Sequence, residues 1–134
     1  MDGQENTDDN IWVSKSGFGG TEYLLSALFS EGSKRGLSLP HMARLVSTNP
    51  ARRYGLNNKG DIEIGLDADL ALLDPQVTYT VRAEESESSQ GYTPFEGMEL
   101  NGKLQSTYLR GNLVYDNDSV VGPALGEYQS RPQS

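Results

Sequence analysis

At Gly55 the spacing of apolar residues switches from a helical period to alternation, and that switch divides the chain. Before it, Leu24, Leu25, Leu28 and Phe29 fall at i, i+1, i+4 and i+5. They form one apolar stripe on a helix that Thr21 caps and Gly36 ends, with Glu22, Ser26, Ser30 and Glu31 filling the other face. Lys34-Arg35 suits the negative end of that helix dipole. Ser38 caps a second helix, with Pro40 in its first turn and Met42, Leu45 and Val46 inward. Asn49 as cap and Pro50 at the first helical position open a short third helix that Gly55 ends. After the switch, Asp61-Ile62-Glu63-Ile64 alternates, Leu70 to Leu73 is a short buried run, and Val77 to Val81 alternates again beyond Asp74-Pro75. Thr107 to Tyr115 reads as a strand pair turning at Arg110-Gly111-Asn112. Helices grouped first and about five strands grouped after predict an α+β chain, or pieces of two domains.

The core available to such a chain is thin, since hydrophobic residues make up 35% of 134. Its apolar surface therefore calls for a partner that this sequence does not contain. The net charge of −8 sits in two places, the first ten residues (Asp2, Glu5, Asp8, Asp9) and the Ser/Glu stretch 83–91. Without them the body is near neutral and shows no basic face of the kind that releases counterions from phosphates, which excludes a nucleic-acid partner. No apolar run approaches the roughly 20 residues that span a bilayer, and the acidic start is the opposite of a signal peptide. Absence of cysteine removes disulfides, thiolate nucleophiles and zinc ribbons. These features predict a cytoplasmic protein with no membrane partner.

Three divisions follow: a tail or loop at 1–14, a helical segment at 15–56, and strands over 57–134 with a loop at 83–91. Ile11-Trp12-Val13 is a short patch that wants a partner surface. Ser16-Gly17-Phe18-Gly19-Gly20 is a turn whose backbone takes positive φ or lies close against something.

The chemistry within reach is limited. A protein zinc site takes about three or four ligands, and this chain has one His and no Cys. His41, on a helix three residues after its cap, reads as a partly exposed or capping histidine. Asp67, Asp69 and Asp74 lack the alternation and closing Glu of a calcium loop and read as turn residues. No G-x-S-x-G elbow occurs. Gly17-Phe18-Gly19-Gly20-Thr21 lacks the lysine of a phosphate loop. The residues therefore predict no self-sufficient catalytic or metal site.

A resemblance adds to this reading. Lys59-Gly60-Asp61-Ile62-Glu63-Ile64-Gly65-Leu66-Asp67-Ala68-Asp69-Leu70, with Asp74, resembles the K-G-x-I-x-x-G-x-D-A-D-L-x-x-x-D segment of the amidohydrolase superfamily. Ser47-Thr48-Asn49-Pro50-Ala51, with Tyr54-Gly55-Leu56, is similar to the S-T-N-P-A-x-x-F-G-L that precedes it there. Ser16 to Glu22, Phe29 to Gly32, Thr93-Pro94-Phe95-Glu96-Gly97, Gly102 and Leu109-Arg110-Gly111 resemble the cyclic-amide hydrolases: allantoinases, dihydropyrimidinases and hydantoinases, and dihydroorotases. Val121-Gly122-Pro123, Gly126 and Arg131 lean toward allantoinase.

That resemblance implies a fold and an activity. The chain would be the last helices of a metal-dependent (β/α)8 barrel followed by C-terminal strands of a small β-sandwich. The family's ligands for zinc or another divalent metal lie at barrel strand ends, and none can be placed here. The implied function is the C-terminal part of a hydrolase that opens cyclic amides, inactive alone. The alternative is a free-standing, non-catalytic oligomerisation or binding module. The implied substrate loop is Ser16, Gly17, Phe18 and Gly19, with Gly19 standing where several relatives have proline. The implied partner is a barrel-bearing chain, or a second copy meeting the face of Leu24, Leu25, Leu28 and Phe29.

Overall fold

A computed structural model of the protein describes residues 17–130. The 1–14 tail, the Ile11-Trp12-Val13 patch, Ser16 and Arg131 lie outside them. Among the described residues no helix is long and apolar enough to cross a membrane. The architecture is α+β, a helical segment followed by a four-stranded antiparallel sheet.

A single 3-10 turn, Thr21–Tyr23, leads into α1, Leu24–Lys34. Thr21 is thus inside the first turn and makes no capping bond. At the other end Gly36 N–H bonds the Ser33 carbonyl at 3.1 Å and Leu37 N–H the Gly32 carbonyl at 2.9 Å. This paired closure satisfies carbonyls that the helix end would orphan. Gly55 and Leu56 repeat it on Arg52 and Ala51, at 3.3 and 2.9 Å.

Between these two stops the expected second and third helices are one continuous helical path. Residues Leu39–Ala43 form α2, Arg44–Thr48 a wide π turn, and Asn49–Tyr54 α3. Asn49 is helical itself and donates its N–H to Arg44 O, five residues back. Pro50 explains the wide turn. It has no N–H to offer and its ring would strike the carbonyl four residues earlier, so the helix widens there instead of restarting. Met42 is buried, whereas Leu45 stays exposed.

Strands β1 (Leu70–Thr80), β2 (Glu99–Leu109), β3 (Asn112–Asp116) and β4 (Ser119–Val120) pair in that order. β1 absorbs both of its expected pieces. Asp74-Pro75 forms a bulge in place of a break, with Asp74 Oδ1 accepting the Gln76 N–H at 2.8 Å. Arg110-Gly111 is a two-residue hairpin with both φ values positive, and Asn117-Asp118 is a second one. Asp61 to Ile64 is not a strand, and both isoleucines are exposed. The alternation is there, but this stretch pairs with no other strand among the described residues.

α1 lies against β2. The core is Tyr23, Val81 and Leu100, with Ala27, Tyr79 and Phe95 packed around it. The Tyr23 and Phe95 rings meet edge to face at 5.9 Å between centroids. Tyr23, Ser26, Ala27 and Ser30 are the i, i+3, i+4, i+7 set that faces inward, and Ser26 and Ser30 are buried. This corrects only the reading of Ser26 and Ser30 as part of a polar face with Glu22 and Glu31. The small face of α1 meets the sheet, while Leu24 is exposed and Leu25 and Leu28 are half-buried. Phe29 lies at the boundary, its Cδ1 2.5 Å from where a Cβ on Gly102 would sit.

Candidate functional site

The turn that precedes α1 is the part of the expected substrate loop within the described residues. Gly17 has φ +80, Phe18 is exposed, and Gly19 is buried. The Ser/Glu stretch folds back onto this turn. Tyr92 Oη donates to the Gly17 carbonyl. Ser88 fills the space beside Gly19, where a Cβ would lie 2.7 Å from the serine Oγ and 2.8 Å from its Cβ. Phe95 backs Gly20. Ser86 Oγ donates to Glu22 Oε1, and Glu87 N–H donates to Glu22 Oε2 at 3.2 Å. Sequence periodicity gives no signal for Tyr92, Ser88, Ser86 or Glu22. Their segment has no apolar pattern, and the segments they join lie 64 to 75 residues apart.

A second constellation joins the two motifs that carry the family resemblance. Lys59 Nζ bridges Asp67, at 2.9 Å, and Asp69. Asn58 Nδ2 adds a bond to Asp67 at 2.7 Å. Asp69 Oδ1 accepts the Arg110 N–H at 2.8 Å, and Gly111 N–H reaches the Ala68 carbonyl at 2.9 Å. The D-A-D run thus ties the loop after α3 to the β2–β3 hairpin. One residue along, the Gly60 carbonyl accepts from Ser47 Oγ at 3.1 Å and Thr48 Oγ1 at 3.0 Å. Ala51 is buried against Gly60. The S-T-N-P-A and K-G motifs are therefore two halves of one joint.

The hydrogen bonds that Lys59 donates to Asp67 and then Asp69 raise its pKa above the ordinary 10.5. For Asp69, desolvation pushes upward, but bonds from Lys59 and the Arg110 N–H outweigh it and the carboxyl ends below 3.8. Asp118 is lowered mainly by its bond from Lys103, at 2.5 Å. Burial raises the hydroxyls of Tyr23 and Tyr115 above 10.0. The folded values of Asp69 and Asp118 lie below the unfolded one, so their contribution is complete above pH 3.8 and drains away as pH falls through the lowered values. Tyr23, Tyr115 and Lys59 have raised values, so theirs is complete below pH 10.0 and is lost as pH rises through them. Urea midpoints measured against pH should therefore fall on both flanks and stay level between. In Lys59→Met the acid flank should shrink, because Asp69 loses the bond that holds it down.

The other candidates do not gather. His41 is exposed on α2. Asp74 serves the β1 bulge, and Asp67 and Asp69 point at Lys59. Among the described residues no group of three His, Cys, Asp or Glu could hold a metal ion. A cleft of about 510 Å³ opens between the start of α1 and the sheet, lined by Glu22, Tyr23, Tyr79, Arg82, Lys103 and Tyr115 among others. Its two cations already face carboxylates, Lys103 to Asp118 and Arg82 to Glu96 at 3.4 Å.

Residues 8–114 match the model of the amidohydrolase family. The chain belongs to that family. Within it, this amidohydrolase-family chain is 41% identical over 126 residues to an allantoinase of Rubrobacter xylanophilus, covering 93% of this chain and 28% of that protein. Among solved structures it is similar to an L-hydantoinase (dihydropyrimidinase) from Arthrobacter aurescens, with a TM-score of 0.76 and 31% identity over 84% of this chain and 26% of that one. A dihydropyrimidinase from Brevibacillus agri gives a TM-score of 0.69 and 38% identity, over 73% and 22%. The likeness thus falls in the cyclic-amide branch. The chain spans about a quarter of the length of the curated relatives it matches.

Proposed function

We propose that this chain is the C-terminal part of a metal-dependent hydrolase of cyclic amides, allantoinase-like in substrate. In this reading residues 15–56 are the last helices of a (β/α)8 barrel and 57–134 the C-terminal strands of a small β-sandwich. The observation that carries it is the likeness to the Rubrobacter xylanophilus allantoinase, which runs through 93% of this chain but 28% of that protein. With one His, no Cys and its paired aspartates committed to Lys59, the chain does not fit the divalent metal that such chemistry uses. Its own contribution is packing, together with the Ser16–Gly19 turn, whose backbone amide and carbonyl groups would face the ring.

The outward face of α1 favours a barrel-bearing partner. Leu24 is 58% exposed, and Leu25 and Leu28 are only half covered. The same face supports the second reading, a non-catalytic module that pairs with its own copy through Leu24, Leu25, Leu28 and Phe29.

Co-expression with the complementary three quarters of the Rubrobacter xylanophilus allantoinase separates the two. A stable complex that opens allantoin, with neither part active alone, is the expected result. A defined homo-oligomer that ignores the complementary chain would favour the module. Turnover of allantoin by the purified chain with added zinc would overturn the main reading.

A further inference from the structure

We propose that the Ser/Glu loop, residues 83–91, together with the adjoining Tyr92, is a clamp that fixes the backbone of the Gly17–Gly20 turn, and that Tyr92 and Ser88 are positioning residues for the cyclic amide. The role toward substrate rests on the reading given under Proposed function; the clamp itself rests on contacts. Three of them act at successive points of the turn. Tyr92 Oη holds the Gly17 carbonyl, Ser88 occupies the side-chain space of Gly19, and Ser86 with the Glu87 N–H holds both oxygens of Glu22 at the start of the helical path.

Each contact does something the turn cannot do for itself. Gly17 has φ +80 and none of the described residues lies within 4 Å of its missing Cβ, so packing against them does not fix its torsions. A hydrogen bond to its carbonyl selects the orientation of the peptide plane that follows. A proline at position 19 would stiffen the turn by fixing φ, but Gly19 has no ring to do so. Here the stiffness comes from outside, because Ser88 lies where that residue's side chain would be. A glycine at 19 and a serine pressed against it replace one rigid residue by a packed pair. Glu22 faces two donors from the loop, and this anchors the clamp at its far end.

Recognition of a ring amide by backbone groups needs those groups held to about 0.5 Å. A turn with three glycines in four positions loses that precision unless something restrains it. The clamp therefore acts on substrate binding more than on the chemical step.

The test uses the full chain first. Backbone ¹⁵N order parameters at Gly17, Gly19 and Gly20 should be near 0.85, the value of rigid backbone, and fall below about 0.6 in Tyr92→Phe. Leu100 in the core should keep its value. Gly19→Ala should loosen the turn in the same way, and Gly19→Ala with Ser88→Gly should restore it, since the second change removes the atoms the new methyl strikes. Unchanged order parameters in Tyr92→Phe, or no restoration in the double variant, would overturn the clamp. In the reconstituted complex, Tyr92→Phe should raise KM for allantoin about tenfold and leave kcat within about twofold. A fall in kcat at constant KM would overturn the positioning role. A wild-type complex without turnover would count against the cyclic-amide reading, while the order parameters still decide the clamp.

Discussion

Gly60→Ala should lower the stability of the chain by about 2–5 kcal/mol. Two costs act together there. Gly60 has φ +98, a conformation that L side chains rarely adopt, and a left-handed backbone costs about 1–2 kcal/mol in a non-glycine residue. The added methyl would also overlap the Ala51 Cβ, and forcing an extra methyl into a packed site costs about 1–3 kcal/mol. Neither neighbour can yield easily. Ala51 is buried in α3, and the Gly60 carbonyl is held by the side chains of Ser47 and Thr48. A thermal melt should fall by about 10 °C or more. A melt within about 2 °C of the parent would mean that the two motifs are not locked together. Gly65→Ala is the control, since it shares a positive φ but has none of the described residues within 4 Å.

Leu100→Ala should cost about as much, by a different route. Leu100 is fully buried on β2, between Tyr23 of the helical layer and Val81 at the end of β1. Deleting its three outer carbons removes apolar burial and leaves a hole, for which about 2–5 kcal/mol is typical. Leu72→Ala on β1 makes the comparison sharp. It is the same substitution in the same sheet, but Leu72 is 47% exposed, and a change of about 0.5 kcal/mol or less is expected. Urea titration of both variants should show a large fall in midpoint for Leu100→Ala only, with parallel slopes. Equal effects would mean that the core is not at the α1–β2 contact.

Local signals in the sequence were sound where a single residue type enforces the geometry. Gly36 and Gly55 end their helices, and Arg110-Gly111 turns the hairpin, because each needs a positive φ. Signals failed where the outcome depends on a distant partner. Asp61 to Ile64 alternates like a strand, yet Ile62 and Ile64 project into solvent. Ser26 and Ser30 read as part of the polar face of α1, yet both are buried, because only small side chains let the helix approach β2. Pro50 reads as a helix start in sequence, but the π turn accommodates it without a break. The Gly17–Gly20 turn was legible as a glycine cluster; the loop that holds it was not, since Tyr92 and Gly17 are 75 residues apart.

That distance also sets an order of events. Each sheet neighbour is the next strand in the chain; β2 to β4 can zip together through two-residue turns, and β1 joins across the 81–98 segment. Tyr92 with Gly17 and Ser86 with Glu22 close spans of 75 and 64 residues and add only a few polar contacts when they do, whereas the equally distant Tyr23 and Leu100 bury apolar core. The turn before α1 should therefore take its final shape last as the chain folds, and be the first part to open when it breathes.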